Sequence, residues 1–177
     1  MINSMELESK LVVLRQASAT LKTKHEELVE LSVTTKIDYS VEGVRVLVDA
    51  LCRARANSER ASQLQSETIR LVASSKAKYT DIVNWRQDVM DEVIIQNIKR
   101  FSDRSWAERE SIYRTQCIEA ESYYRIATQL MDAVLAWSQT IGEIARQVYR
   151  TRGDYEAIIQ VLRIGEALNE LRSVNKY

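Results

Sequence analysis

Apolar residues recur every seven positions along the second half of the chain with almost no interruption. Trp106, Tyr113, Ala120, Ala127, Val134, Ile141 and Val148 share one heptad position, and none of the seven is polar or charged. The companion position reads Glu110, Cys117, Tyr124, Met131, Ser138, Ala145 and Arg152, of which four are apolar. Alternating three- and four-residue steps mark one face of a helix, about 70 Å long at ~1.5 Å per residue. A stripe of that length has to be covered by a partner of similar length, in the same chain or in another. Trp106, Tyr113, Cys117, Tyr124, Met131, Val134, Ile141 and Val148 are therefore the expected interaction seam.

The first helix is predicted over residues 4–37, where Leu7, Leu14, Leu21 and Leu28 recur every seven residues with Leu11 alongside. The basic region of a leucine-zipper DNA binder does not accompany them. Thr34 to Ser40 is the first break, with Asp38 or Ser40 able to cap the next helix. That second helix is predicted over 40–100. Its apolar positions begin Val41, Val44, Val48 and Leu51, thin out between Arg53 and Gln63, and resume at Leu64, Leu71, Ile82, Trp85 and Val89; Ala73–Ala77 is a candidate bend. The stripe changes phase near Phe101. Ser105 and Glu108 have capping-box spacing, so a turn at 99–105 is favoured over a continuous helix with a stutter. The third helix then covers 103–152. Gly153 offers a left-handed C-cap and Asp154 an N-cap, which predicts a fourth helix over 154–174. The fold class expected is all-α, an elongated antiparallel helical bundle or coiled coil of three to four long helices, forming a single domain over residues 1–177.

Composition agrees with long helices: the 177 residues include no proline and four glycines. The 25 basic and 25 acidic side chains cancel, so no nucleic-acid partner is expected, since such binding draws on a basic excess. Cys52 and Cys117 are too few for a disulfide framework and read as small hydrophobes. No run of about 18 uncharged apolar residues exists to span a bilayer. The start, MINSMELESK, is too acidic and polar for a signal peptide, which points to the cytoplasm.

Little in the chain points to catalysis. His25 is the only histidine and sits at a seam position, so Ser-His-Asp and Cys-His arrangements have one possible base. No Glu-x-x-His pair is present for a di-iron bundle, and no two glycines lie close enough for a phosphate loop. Neither a cofactor nor a metal is expected. Charge is nonetheless unevenly spread: residues 53–78 hold six basic side chains against Glu59 and Glu67. If 99–105 is a hairpin, Arg53, Arg55 and Arg60 fall near Arg152, Arg150 and Arg146, gathering six arginines. A second basic cluster, Lys99, Arg100, Arg104 and Arg109, lies at the hairpin tip. Guanidinium groups in such a cluster recognise carboxylate or phosphate in a forked geometry.

The stretch Ile98-Lys99-Arg100-Phe101, followed by Trp106-Ala107-Glu108-Arg109 and by Gln116-Cys117-Ile118-Glu119 to Tyr123-Tyr124, resembles the last long helix of sorting-nexin-type BAR domains. The likeness covers about 40 residues. Glu108-Arg109 replaces the Asp-Phe pair usual in that family. The resemblance implies an antiparallel three-helix dimer that senses or bends membranes. It makes Arg53, Arg55, Arg60, Lys76, Lys78, Lys99, Arg100 and Arg104 candidate contacts to an anionic surface, each contributing at most about 1 kcal/mol.

Two functions are expected on these grounds. The first is a non-enzymatic scaffold or adaptor subunit that assembles through helical seams with itself or with partner proteins, as a homo- or hetero-oligomer. The alternative is a BAR-like membrane-binding or curvature-sensing module, peripheral to membranes.

Overall fold

The computed structural model describes residues 4–37, 43–99 and 106–174, with the backbone alone given at 44, 98, 99, 106–108 and 174. The protein is all-α: α1 (Ser4–Thr34), α2 (Val44–Lys99) and α3 (Trp106–Val174) succeed one another, and no strand occurs among the described residues. The expected caps at Asp38 and Ser40, and the Ser105–Glu108 box, involve residues outside that description. Gly43 precedes α2 with a φ of +132°, one that residues with a side chain rarely adopt. The Gly43 carbonyl accepts the Leu47 N–H at 3.3 Å, closing the first turn.

One expected boundary is absent. α3 runs unbroken through Arg152-Gly153-Asp154, so the fourth helix predicted from residue 154 is the continuation of the third. A glycine inside a helix costs only about 1 kcal/mol. Against that cost stands the seam, which keeps its phase across the glycine: Val148, Tyr155 and Ile159 are all buried. The Arg152 Nε also donates to Glu156 Oε1 at 3.2 Å, an i,i+4 pair spanning the site. The candidate bend at Ala73–Ala77 is likewise ordinary helix within α2.

Contacts divide the described residues into two compact units. Unit 1 gathers those of 1–22 and 69–138, and unit 2 those of 23–68 and 139–177. Each unit therefore takes a segment from all three helices.

In unit 1, Lys10 meets Asp81 at 2.8 Å. Tyr79 meets Thr128, and Arg86 meets Glu121, so α2 and α3 run in opposite directions. This register brings Leu7, Ile82 and Ala127 to one level, and Leu14, Ser75 and Val134 to the next; all six are buried. In unit 2, Lys24 pairs with Glu67, Glu27 with Arg60, and the Leu31 carbonyl with Asn57, so α1 and α2 are antiparallel there. Tyr149–Gln65, Arg152–Ser58 and Glu156–Arg55 set α3 against α2 in the same manner. The levels of unit 2 are Leu28 with Ala61 and Val148, then Thr35 with Ala54 and Tyr155, again all buried. Leu51 and Ile159 complete the cluster around Tyr155.

These levels explain why the α2 stripe looks thin in the sequence. Its buried face is built of Ala54, Ser58, Ala61, Thr68 and Ser75, side chains too small to register as a hydrophobic run. Each level balances volume. Small residues of α2 face leucines of α1, and a small Ala127 of α3 accompanies Ile82. The large Tyr155 stands where α1 and α2 supply Thr35 and Ala54. Close packing penalises any departure from that balance.

The levels generate two stability predictions. Ala61→Leu should overpack its level and cost about 1–3 kcal/mol, with Leu28→Ala partly rescuing it and Leu14→Ala giving no rescue. Chemical denaturation of the single and double variants checks this. Ser75 is fully buried and its hydroxyl has no hydrogen-bond partner among the described residues. Ser75→Ala should therefore stabilise the protein by about 1 kcal/mol, seen as a raised melting temperature.

Candidate interaction surface

The expected seam is largely consumed within the chain. Met131 and Val134 are buried in unit 1, and Ile141 and Val148 in unit 2. Toward the start of α3 the burial relaxes: Tyr124, Cys117 and Tyr113 are half-buried. Trp106 opens the helix, but its side chain lies outside the description. Tyr124 lies under the Arg86 guanidinium, 4.5 Å from the ring centroid, a cation–π contact that covers its exposed side. Beside it, Trp85 meets Tyr123 edge-on with centroids 6.0 Å apart. Burial, together with the nearby Glu8 and Glu119 carboxylates, pushes the Tyr123 phenol above its ordinary pKa.

Beyond Leu7, Ala120 is still fully buried, and Ser4 of α1 lines the space beside Val89. From there the α2–α3 seam opens into a groove of about 890 Å³ in unit 1. Trp85, Val89, Ile112 and Tyr113 supply its apolar surface. Among the described residues, Asp88, Glu92 and Glu119 line it as acids and Arg109 as a base. The α2 lining residues fall at i, i+3, i+4 and i+7, and those of α3 repeat that spacing from Arg109. Two helix faces so spaced, with Ser4 of α1 also at the lining, form a slot that suits an amphipathic helix. The sequence carried this signal in the continuing stripe Trp85–Val89 and Tyr113–Cys117.

Two of the eight basic candidates, Arg55 and Arg60, are engaged by carboxylates. Arg60 grips Glu27 with a fork, Nε to Oε1 at 2.6 Å and Nη2 to Oε2 at 3.1 Å. Arg55 donates to Glu156 Oε1 at 3.1 Å and Arg152 to the same oxygen at 3.2 Å. Hydrogen bonds from Arg152 and then Arg55 hold the Glu156 carboxyl below its usual pKa. The expected neighbour of Arg55 was Arg150. The observed one lies beyond it along α3, because the seam levels rather than a symmetric turn fix the register. Arg53 is exposed and lines a small depression with Thr35, Lys36 and Tyr155. Lys76 is exposed and Lys78 half-buried. Lys99 ends α2 with its side chain outside the description, and Arg100 and Arg104 lie outside the described residues. The sequence reading missed Glu27 and Glu156 as counter-charges, since both come from stretches it had not placed beside the arginines.

His25 is half-buried in α1. Cys117 is half-buried and Cys52 exposed, both as free thiols. Among the described residues no group of His, Cys, Asp and Glu could hold a metal ion, and no helix is long and apolar enough to cross a membrane. Comparison with family models, with curated proteins and with solved structures returns no match.

The titrating groups predict a two-sided pH profile. Glu156 has a lowered folded pKa, so its contribution is present at neutral pH and is lost as pH falls through the carboxylate range. Lys10 is raised by its hydrogen bond to Asp81, against an opposing effect of burial, and by the charges of Asp81 and Glu6. Tyr123 is raised as well, so both contributions are lost as pH climbs past the ordinary tyrosine and lysine values. Melting temperature tracked by far-UV circular dichroism should fall at both extremes. Glu156→Gln should flatten the acid limb alone, and Lys10→Met the alkaline limb alone.

Proposed function

We propose that the protein is a non-enzymatic helical scaffold or adaptor, a three-helix coiled-coil bundle that assembles with partner proteins by accepting one of their helices. The observation that carries this reading is the groove between α2 and α3 in unit 1, about 890 Å³ and lined by two helix faces at seam spacing. Its occupant is an amphipathic helix of a partner protein with basic flanks. The apolar floor calls for an i, i+3, i+4, i+7 stripe, and three acids against one arginine call for lysine or arginine beside it. A groove of this kind needs no cofactor and no nucleophile.

The membrane reading implied by the resemblance to sorting-nexin-type BAR domains has less to rest on. Arg55 and Arg60 already have carboxylate partners, and a surface phosphate would have to displace them.

Titration of a dye-labelled leucine–lysine heptad peptide, read by fluorescence anisotropy, tests the scaffold reading. Binding should be saturable, weaken with salt, and drop roughly tenfold for Asp88→Lys/Glu92→Lys, while a leucine–glutamate peptide should not bind. Equal binding of the two peptides, or none of the basic one, contradicts it. Co-sedimentation with anionic and neutral vesicles tests the other reading. No anionic-lipid-dependent, salt-sensitive binding is expected, and such binding, lost on Arg53→Ala/Arg55→Ala/Arg60→Ala, would reverse the order of the two.

A further inference from the structure

Where the end of α1 meets the start of α2, acceptors are used up and donors are left over. The Leu31 carbonyl receives the Thr35 hydroxyl at 2.6 Å and Asn57 Nδ2 at 3.5 Å, and the Val33 carbonyl receives the Lys36 N–H at 3.3 Å. The Lys36 carbonyl in turn receives the Tyr155 hydroxyl at 3.4 Å. The carbonyl end of α1, which would otherwise repel an anion, is thus occupied by the chain's own donors. The Lys36 ammonium and the Arg53 guanidinium are in the opposite position. Unlike Arg55 and Arg60, neither has a hydrogen-bond or carboxylate partner among the described residues. Both line a depression of about 180 Å³ in unit 2, together with Thr35, Val46 and Tyr155. No acid is among its described lining residues. Val46 belongs to the first turn of α2, whose leading N–H groups have no acceptor inside the helix; the Leu47 N–H, bonded to the Gly43 carbonyl, is the first that the turn satisfies.

We propose that this depression binds a small phosphate-bearing anion, either inorganic phosphate or a soluble phosphomonoester. Its donors are of the kinds that recognise phosphate: a planar guanidinium fork, a compact ammonium charge and the positive end of a 56-residue helix. Thr35 and Tyr155 are almost fully buried, so the wall they form is fixed by the packing of the Thr35–Ala54–Tyr155 level. A bound anion would therefore tie the end of α1 to the start of α2 at a rigid place. Two cations are too few to hold a membrane surface, which only a larger basic cluster does usefully, so the ligand is a soluble one. The site is independent of the helix-binding groove, whose lining belongs to unit 1.

Amide NMR titration of the full chain with potassium phosphate, against potassium chloride at equal ionic strength, tests this. Phosphate should give saturable shifts confined to residues 34–37 and to the first turns of α2, and chloride should not. Arg53→Ala should weaken phosphate binding about tenfold and Lys36→Ala several-fold. Lys76→Ala, which removes an equal charge from an exposed position outside the depression, should leave it unchanged. Because Lys36 and Arg53 are exposed too, each variant should keep its helix content, which circular dichroism verifies. A second titration with methyl phosphate distinguishes the sources: tighter binding than phosphate assigns the site to a monoester, and weaker binding to the inorganic ion. Shifts that do not saturate, that chloride reproduces, or that Lys76→Ala reduces as much as Arg53→Ala overturn the proposal.

Discussion

Volume balance across each heptad level is the constraint on which the remaining structure depends. Three helices meet closely only if the side chains at a level sum to what the space holds, and the chain meets that condition differently from level to level. Leucine comes from α1 where α2 offers alanine or serine, as at Leu28 with Ala61 and Leu14 with Ser75. Where α1 offers Thr35 the bulk moves to Tyr155, and where α2 offers Ile82 it is α3 that shrinks to Ala127. The α1 leucines are alike, so the ends of the stack distinguish the registers: a one-heptad slip of α1 would bring Leu28 to the level of Tyr155, or leave Thr35 at that of Ala61 and Val148.

The ion pairs act on top of that constraint. Lys10–Asp81, Lys24–Glu67, Glu27–Arg60, Arg86–Glu121 and Arg55–Glu156 all join different helices. Exposed or half-exposed pairs of this kind contribute at most about 1 kcal/mol each. Their effect is on alignment, since a shifted or parallel arrangement would leave several of them facing like charges. They also draw Arg55 and Arg60 into the protein's own charge pattern, which is why a cluster that looked suited to phosphate in the sequence is partnered in the fold.

Long, strongly periodic stretches were legible from the residues alone. The α1 leucines and the Ala127–Val148 stripe gave the helices and which of their faces are buried. Three features were not legible, each for a physical reason. The α2 seam is made of alanine, serine and threonine, which hydropathy does not distinguish from a surface. Gly153 has the local chemistry of a helix end, but burial of Tyr155 and Ile159 outweighs its propensity. Which apolar face is covered and which is open is a tertiary fact that no single segment encodes. Apolar residues such as Ile164 and Leu168 read as one more seam in the sequence, and only the fold distinguishes a covered stripe from an open one.

An interior built by stacking helix faces stands or falls with the register of the helices. Zero-length carboxyl–amine cross-linking of the dilute protein, mapped by mass spectrometry, tests the register with native residues. The account predicts Lys10–Asp81 and Lys24–Glu67 as the dominant long-range links. Links from Lys10 or Lys24 to carboxylates a turn or more removed along α2, in place of these, would contradict it.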